Sequence, residues 1–95
     1  MEQSVLEKAE KIDQCLAKRV RDIRKQASLS QEKLAAISGV SYGSIKRFES
    51  SGQISLLSLT KIALALGMDD ELAHLFVQMI YRDEDDTISE ITDCG

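Results

Sequence analysis

Between Ser41 and Arg47 the chain gathers hydrogen-bonding side chains and no acid: Ser41, Tyr42, Lys46 and Arg47, with Gly43 among them. On a helix beginning near Ser41 these residues share one face. Their chemistry is recognition. Arg47 and Lys46 are suited to bidentate donation to guanine O6 and N7, each such contact giving about 1–3 kcal/mol of discrimination, and either reaches phosphate as well. Tyr42 offers a ring to a thymine methyl or a hydroxyl to a phosphate. Gly43 either lets a partner approach the backbone closely or marks an exposed position where no side chain is required. Catalysis is not expected. The sequence shows no nucleophile with a base beside it, no paired carboxylates in a plausible cleft and no phosphate-binding glycine loop.

Such a face must be held by its neighbours. A helix-turn-helix needs two helices crossing steeply over a short turn, and residues 30–50 have the parts for one. Ser30 is a natural N-cap, with Gln31, Glu32 and Lys33 opening the first turn. Leu34, Ala35 and Ile37 supply apolar contacts, and Ala35 is small enough for a close crossing. Gly39 stops the helix. Ser41 caps the next one, which offers Val40, Ile45 and Phe48 inward and runs to about Ser50.

The flanking elements follow from apolar periodicity. A first helix over residues 5–27 carries the stripe Val5, Ala9, Ile12, Leu16, Val20, Ile23 and Ala27. Ser4 with Glu7 makes a capping box at its start, and Asp13 is an alternative cap for a shorter helix. Ser55 caps a fourth helix with Leu56, Leu59, Ile62, Ala63 and Leu66 on its apolar face, stopped at Gly67. Asp69, Asp70 and Glu71 open a fifth, whose inner face is Leu72, Leu75, Phe76, Met79 and Ile80. His74 lies off that stripe and is expected to be exposed. The chain has no proline, so glycine supplies the stops. The prediction is an all-α, five-helix domain over residues 1–81 with an N-terminal helical extension. An acidic tail over residues 82–95 is expected to be flexible unless bound.

The net charge of −4 hides an asymmetry. Residues 1–48 hold ten Lys or Arg against six Asp or Glu, and residues 49–95 hold two against ten. A basic front suits nucleic acid, and an acidic back suits another partner. In the first helix Lys18, Arg19, Arg21, Arg24 and Lys25 are available for phosphate, with some facing solvent. Charges at Glu2, Glu7, Lys8, Glu10 and Lys11 interrupt any signal-like apolar run. No stretch approaches the ~20 apolar residues of a membrane span, so a cytoplasmic location without membrane contact is expected. Cys15 and Cys94 form no CxxC pair. Cys15 is expected to be buried, Cys94 to be free, and no metal or cofactor is expected.

Residues 16–68 resemble the Xre family of Cro- and repressor-type helix-turn-helix proteins. The matching words are Arg21-Asp22-Ile23-Arg24, Leu29 to Ala35, Ser38 to Ser41, Ser44 to Glu49, and Leu59 to Gly67. The resemblance implies a repressor-like DNA-binding fold with recognition positions at Ser41, Tyr42, Gly43, Lys46 and Arg47. It implies that Gln31 braces phosphate and the first recognition residue, and that Ser44 meets phosphate. It also implies that Glu49 pairs with an arginine of the first helix, Arg21 or Arg24. Arg24 and Lys25 complete the expected phosphate contacts. Family members dimerise, with recognition helices about 34 Å apart on double-stranded operator DNA. Here Leu72, Leu75, Phe76, Met79 and Ile80 are the expected homodimer interface. One departure stands out: the family often has proline after the glycine that follows the third helix, and this chain has Gln53 after Gly52. The phrase Gly52 to Leu56 and the run Leu66 to Phe76 are similar to regulators that accompany HipA-like kinase toxins, which implies an antitoxin and autorepressor. The alternative function is a protein-interaction module that grips a toxin or a transcription component without specific DNA recognition.

Overall fold

The computed structural model describes residues 4–77, which form α1 (Val5–Gln26), α2 (Gln31–Ser38), α3 (Tyr42–Ser51), α4 (Leu56–Leu66) and α5 (Asp69–Ala73). No strand occurs among the described residues. Serines start the first four helices. The Glu7, Lys33, Ser44 and Ser58 amides donate to the hydroxyls of Ser4, Ser30, Ser41 and Ser55 at 3.0–3.1 Å. At Ser4 the box closes, its own amide donating to Glu7 Oε1 at 3.0 Å. These bonds satisfy helix-end donors that have no intrahelical partner. The capping box settles the open question about α1: it runs unbroken from Val5, and Asp13 lies within it.

Glycine residues end α2, α3 and α4. Gly52 is constrained twice. Its φ of 83° is left-handed, and a Cβ there would sit 2.9 Å from the Asp13 carbonyl carbon. The end of α3 is thus pressed onto the backbone of α1. Between α1 and α2 the stop is Ser28, with φ of 60°. The Leu29 amide reaches back to the Arg24 carbonyl at 3.1 Å and the Ser28 amide to the Lys25 carbonyl at 2.9 Å. This double bond pattern closes a helix C-terminus without glycine.

α3 packs against α1 and α2, α2 also packs on α4, and α4 on α5. The core is Leu34, Val40, Ile45 and Ile62, bordered by Val20, Leu29, Ala35, Ile54, Ala65 and Leu66. Ala17 of α1 and Phe48 of α3 are also buried. Several predicted core residues stay outside. Ile37 and Leu56 are exposed, as are Val5, Ile12 and Leu16 on the first half of α1. Among the described residues, that stripe lies outside the buried core.

The fifth helix is shorter than predicted. It ends at Ala73, and Phe76 adopts φ of 68°. The Asp70 carbonyl meets both the His74 amide, at 3.0 Å, and His74 Nδ1, at 2.8 Å. The next amides make three-residue turns, Leu75 to the Leu72 carbonyl and Val77 to the His74 carbonyl, both at 3.1 Å. With no side-chain cap at its start and only five residues, α5 lacks the length over which helical hydrogen bonding becomes cooperative. The expected inner face is therefore corrected: Leu72 is half-buried, whereas Leu75 and Phe76 are exposed. Met79, Ile80 and the expected tail lie outside the described residues. His74 is exposed, as predicted. Cys15 is only half-buried and is disulfide-bonded, not the buried thiol expected. Cys94 lies outside the described residues. None of the described helices is long and apolar enough to cross a membrane.

Candidate nucleic-acid interface

α3 has two faces. Ile45 and Phe48 point into the core, and Ser41, Tyr42, Gly43, Lys46 and Arg47 are exposed on the other side. The structure thus brings together all five expected base-contact positions. Lys46 Nζ lies 5.1 Å from the centroid of the Tyr42 ring, close enough for a cation–π contact. Arg47 Nη2 donates to Gln53 Oε1 at 3.0 Å. Ser41 Oγ donates to Ser44 Oγ at 2.8 Å, so Ser44 is tied to the cap of α3. Nothing lies within 4 Å of a Cβ placed on Gly43. The fold itself gives no reason for a glycine there.

Below this face lies a buried polar knot. Arg24 is 7% exposed. Its Nε and Nη2 donate to the two carboxylate oxygens of Glu49 at 2.7 and 3.0 Å, and its Nη1 donates to the Leu29 carbonyl at 2.7 Å. Gln31 Nε2 donates to Glu49 Oε1 at 2.9 Å. One carboxylate thereby links α1, α2 and α3 through charge-assisted bonds. Burial alone would push the Glu49 carboxyl up. The hydrogen bonds from Arg24 and Gln31, with the charges of Arg24 and Arg21, outweigh it and hold the group below its ordinary value. Arg24 is held above its ordinary value, chiefly by its hydrogen bond to Glu49 and against the effect of burial.

The knot engages two residues expected at phosphate. The Arg24 guanidinium is buried and bonded to Glu49 and the Leu29 carbonyl. Gln31 gives one amide hydrogen to Glu49. Lys25 remains exposed. It lines a concavity on one side of α3 with Arg21, Lys46 and Ser50, above the knot. On the other side, Arg47, Ser44, Gln53, Ser55 and Ser58 line a second, polar concavity with Ile54. Lys46 and Arg47 of one helix therefore line two different concavities. Sequence reasoning missed Gln53 as the partner of Arg47. The signal was the departure at that position, where an amide stands in place of the family's frequent proline.

The Helix-turn-helix family profile matches residues 20–72, more than half of the 95-residue chain. The chain belongs to the helix-turn-helix family. It is a DNA-binding transcription regulator of the Cro and repressor type. No curated protein and no solved structure matches it. The profile match takes in all of α2, α3 and α4, and it begins at Val20, well inside α1. Residues 5–19 of this helix-turn-helix protein precede the matched span.

Proposed function

We propose that this helix-turn-helix protein is a sequence-specific repressor that reads operator DNA with the exposed ridge of α3 in the major groove. The observation that carries the reading is the division of α3 into a buried apolar face and a cationic, acid-free exposed one. Arg47 and Lys46 are the readers of guanine edges. Tyr42 contacts a thymine methyl or the backbone, Ser41 lies at the edge of the contact, and Gly43 lets the groove wall approach. Ser44, Gln31 and Lys25 face phosphates. Two copies bind with recognition helices one DNA turn apart, and Leu75 and Phe76, with Leu72, offer apolar surface for the second copy.

A binding titration against duplexes from the promoter of its own gene tests this. Affinity for the preferred duplex should fall steeply as salt rises, because each neutralised phosphate releases counterions. Arg47→Ala should remove the preference for one sequence, a loss of about 1–3 kcal/mol, and leave non-specific binding in place. Absence of binding at low salt would overturn the repressor reading. Gly43→Ala separates its two readings. It should stabilise the fold by about 0.5–1 kcal/mol and weaken operator binding, as compared by thermal melts and titration. Unchanged operator affinity would show that the groove wall does not come close there.

The finer proposal is that the repressor is the antitoxin of a HipA-like kinase operon. Exposed Leu64, Leu75 and Phe76 support a protein partner besides DNA. Co-purification with the kinase-like product of a neighbouring gene, lost on Phe76→Glu, is the expected result.

A further inference from the structure

We infer that the exposed N-terminal end of α1 is a self-association surface, pairing in parallel with the same helix end of a second copy of this chain. α1 meets the body from Asp13 onward, where Gly52 presses on its backbone and where Ala17 and Arg24 are buried. Residues 4–12 are all exposed. Yet this end carries an apolar face, with Val5, Leu6, Ile12 and Leu16 exposed by 85, 67, 39 and 38%.

The spacing of that face is specific. Val5, Ala9, Ile12 and Leu16 step by four, three and four residues, the alternation of a coiled-coil seam, with Val5 and Ile12 at d positions and Ala9 and Leu16 at a positions. A helix facing solvent alone needs no such seam. The capping box at Ser4 and Glu7 fixes the helix start, so the seam is formed before any partner arrives. The family match begins at Val20, so the seam lies outside the matched span.

Charge chooses the partner and its direction. In the same register Lys8 is a g position and Asp13 the e position five residues on. Both are exposed. In a parallel pair the g residue of one helix meets the e residue of the other, so Lys8 of each copy faces Asp13 of its partner, twice by symmetry. In an antiparallel pair Lys8 would face Cys15 and Asp13 would face Leu6, and neither charge would find its opposite. A second copy of this chain supplies both the matching seam and the matching charges.

Sedimentation equilibrium of the full chain over a concentration series, without DNA, tests the pairing apart from the operator reading. With Phe76→Glu in place, which removes the apolar surface proposed above for the operator-bound pair, the protein should still show a monomer–dimer equilibrium. Ile12→Glu should raise the dimer dissociation constant at least tenfold with unchanged helical content by circular dichroism. Val5→Glu, farther from the body, provides a second variant if the first perturbs folding. Lys8→Glu should weaken pairing several-fold, and adding Asp13→Lys to it should restore it. A Phe76→Glu chain that stays monomeric, a dimer indifferent to both Ile12→Glu and Val5→Glu, or a double variant no stronger than Lys8→Glu would each overturn the inference. Operator binding would then still stand or fall on its own titration.

Discussion

Glu49→Ala should destabilise the domain by about 3–5 kcal/mol, the usual cost of removing one partner from a buried ion pair. The size follows from what stays behind. Arg24 keeps its bond to the Leu29 carbonyl but loses both charge-assisted bonds, and Gln31 loses the acceptor of its amide nitrogen. Glu49→Gln keeps an oxygen for one of those donors and should cost less. Chemical denaturation of the two variants beside the wild type measures the difference. The acid limb of stability gives a second readout. Because the Glu49 carboxyl is held below its ordinary value in the folded chain, its contribution is fully present above the unfolded value. It is lost as pH falls through the lower folded value. Glu49→Gln should flatten that limb, and an unchanged acid dependence would assign the acid sensitivity to other carboxyl groups. The raised Arg24 acts at the opposite end, contributing stability below its unfolded value and losing it only in strong base.

Leu34→Ala should cost about 2–5 kcal/mol. Leu34 is 0% exposed and belongs to one buried cluster with Val40, Ile45 and Ile62, residues of α2, the turn, α3 and α4. The cavity left by its truncation opens where the two helices of the motif meet the fourth, and interiors packed at crystal density collapse only partly. Three residues along the same helix, Ile37 is exposed. Ile37→Ala should fall within about 0.5 kcal/mol, as surface substitutions do. Denaturant midpoints of the pair test the contrast, and equal costs would mean that the core has been misplaced.

Much of the architecture is legible in local signals. Ser30, Ser41 and Ser55 announce helix starts, and Gly39, Gly52 and Gly67 announce stops, because capping depends on residues within one turn. The division of α3 into Ile45 and Phe48 on one side and the readers on the other is equally local. What failed needed tertiary knowledge. The stripe through Leu72, Leu75 and Phe76 has helical spacing, but spacing does not say whether a surface exists to bury it. The Asp70 carbonyl is held by His74 while Phe76 breaks the helical path. Arg24 was one of five cations of the first helix expected to be available for phosphate. Its distinction is that it lies seven residues from Ala17, on the buried line of α1, and that a carboxylate twenty-five residues away reaches it. Family resemblance narrowed the partner of Glu49 to two arginines, and packing decided between them. The Arg47–Gln53 contact spans the turn after α3, and no local rule for helices or caps predicts it.

The two-faced α3 has a consequence for how such a protein changes over time. The residues proposed to read sequence make none of the contacts of the buried cluster, and the residues that hold the fold offer nothing to the groove. Under the proposed reading, substitutions at Tyr42, Lys46 or Arg47 should redirect target choice at little cost to folding, since surface changes usually shift stability by less than about 0.5 kcal/mol. Duplicated copies of this gene could drift to new targets one ridge residue at a time, each intermediate remaining a folded protein.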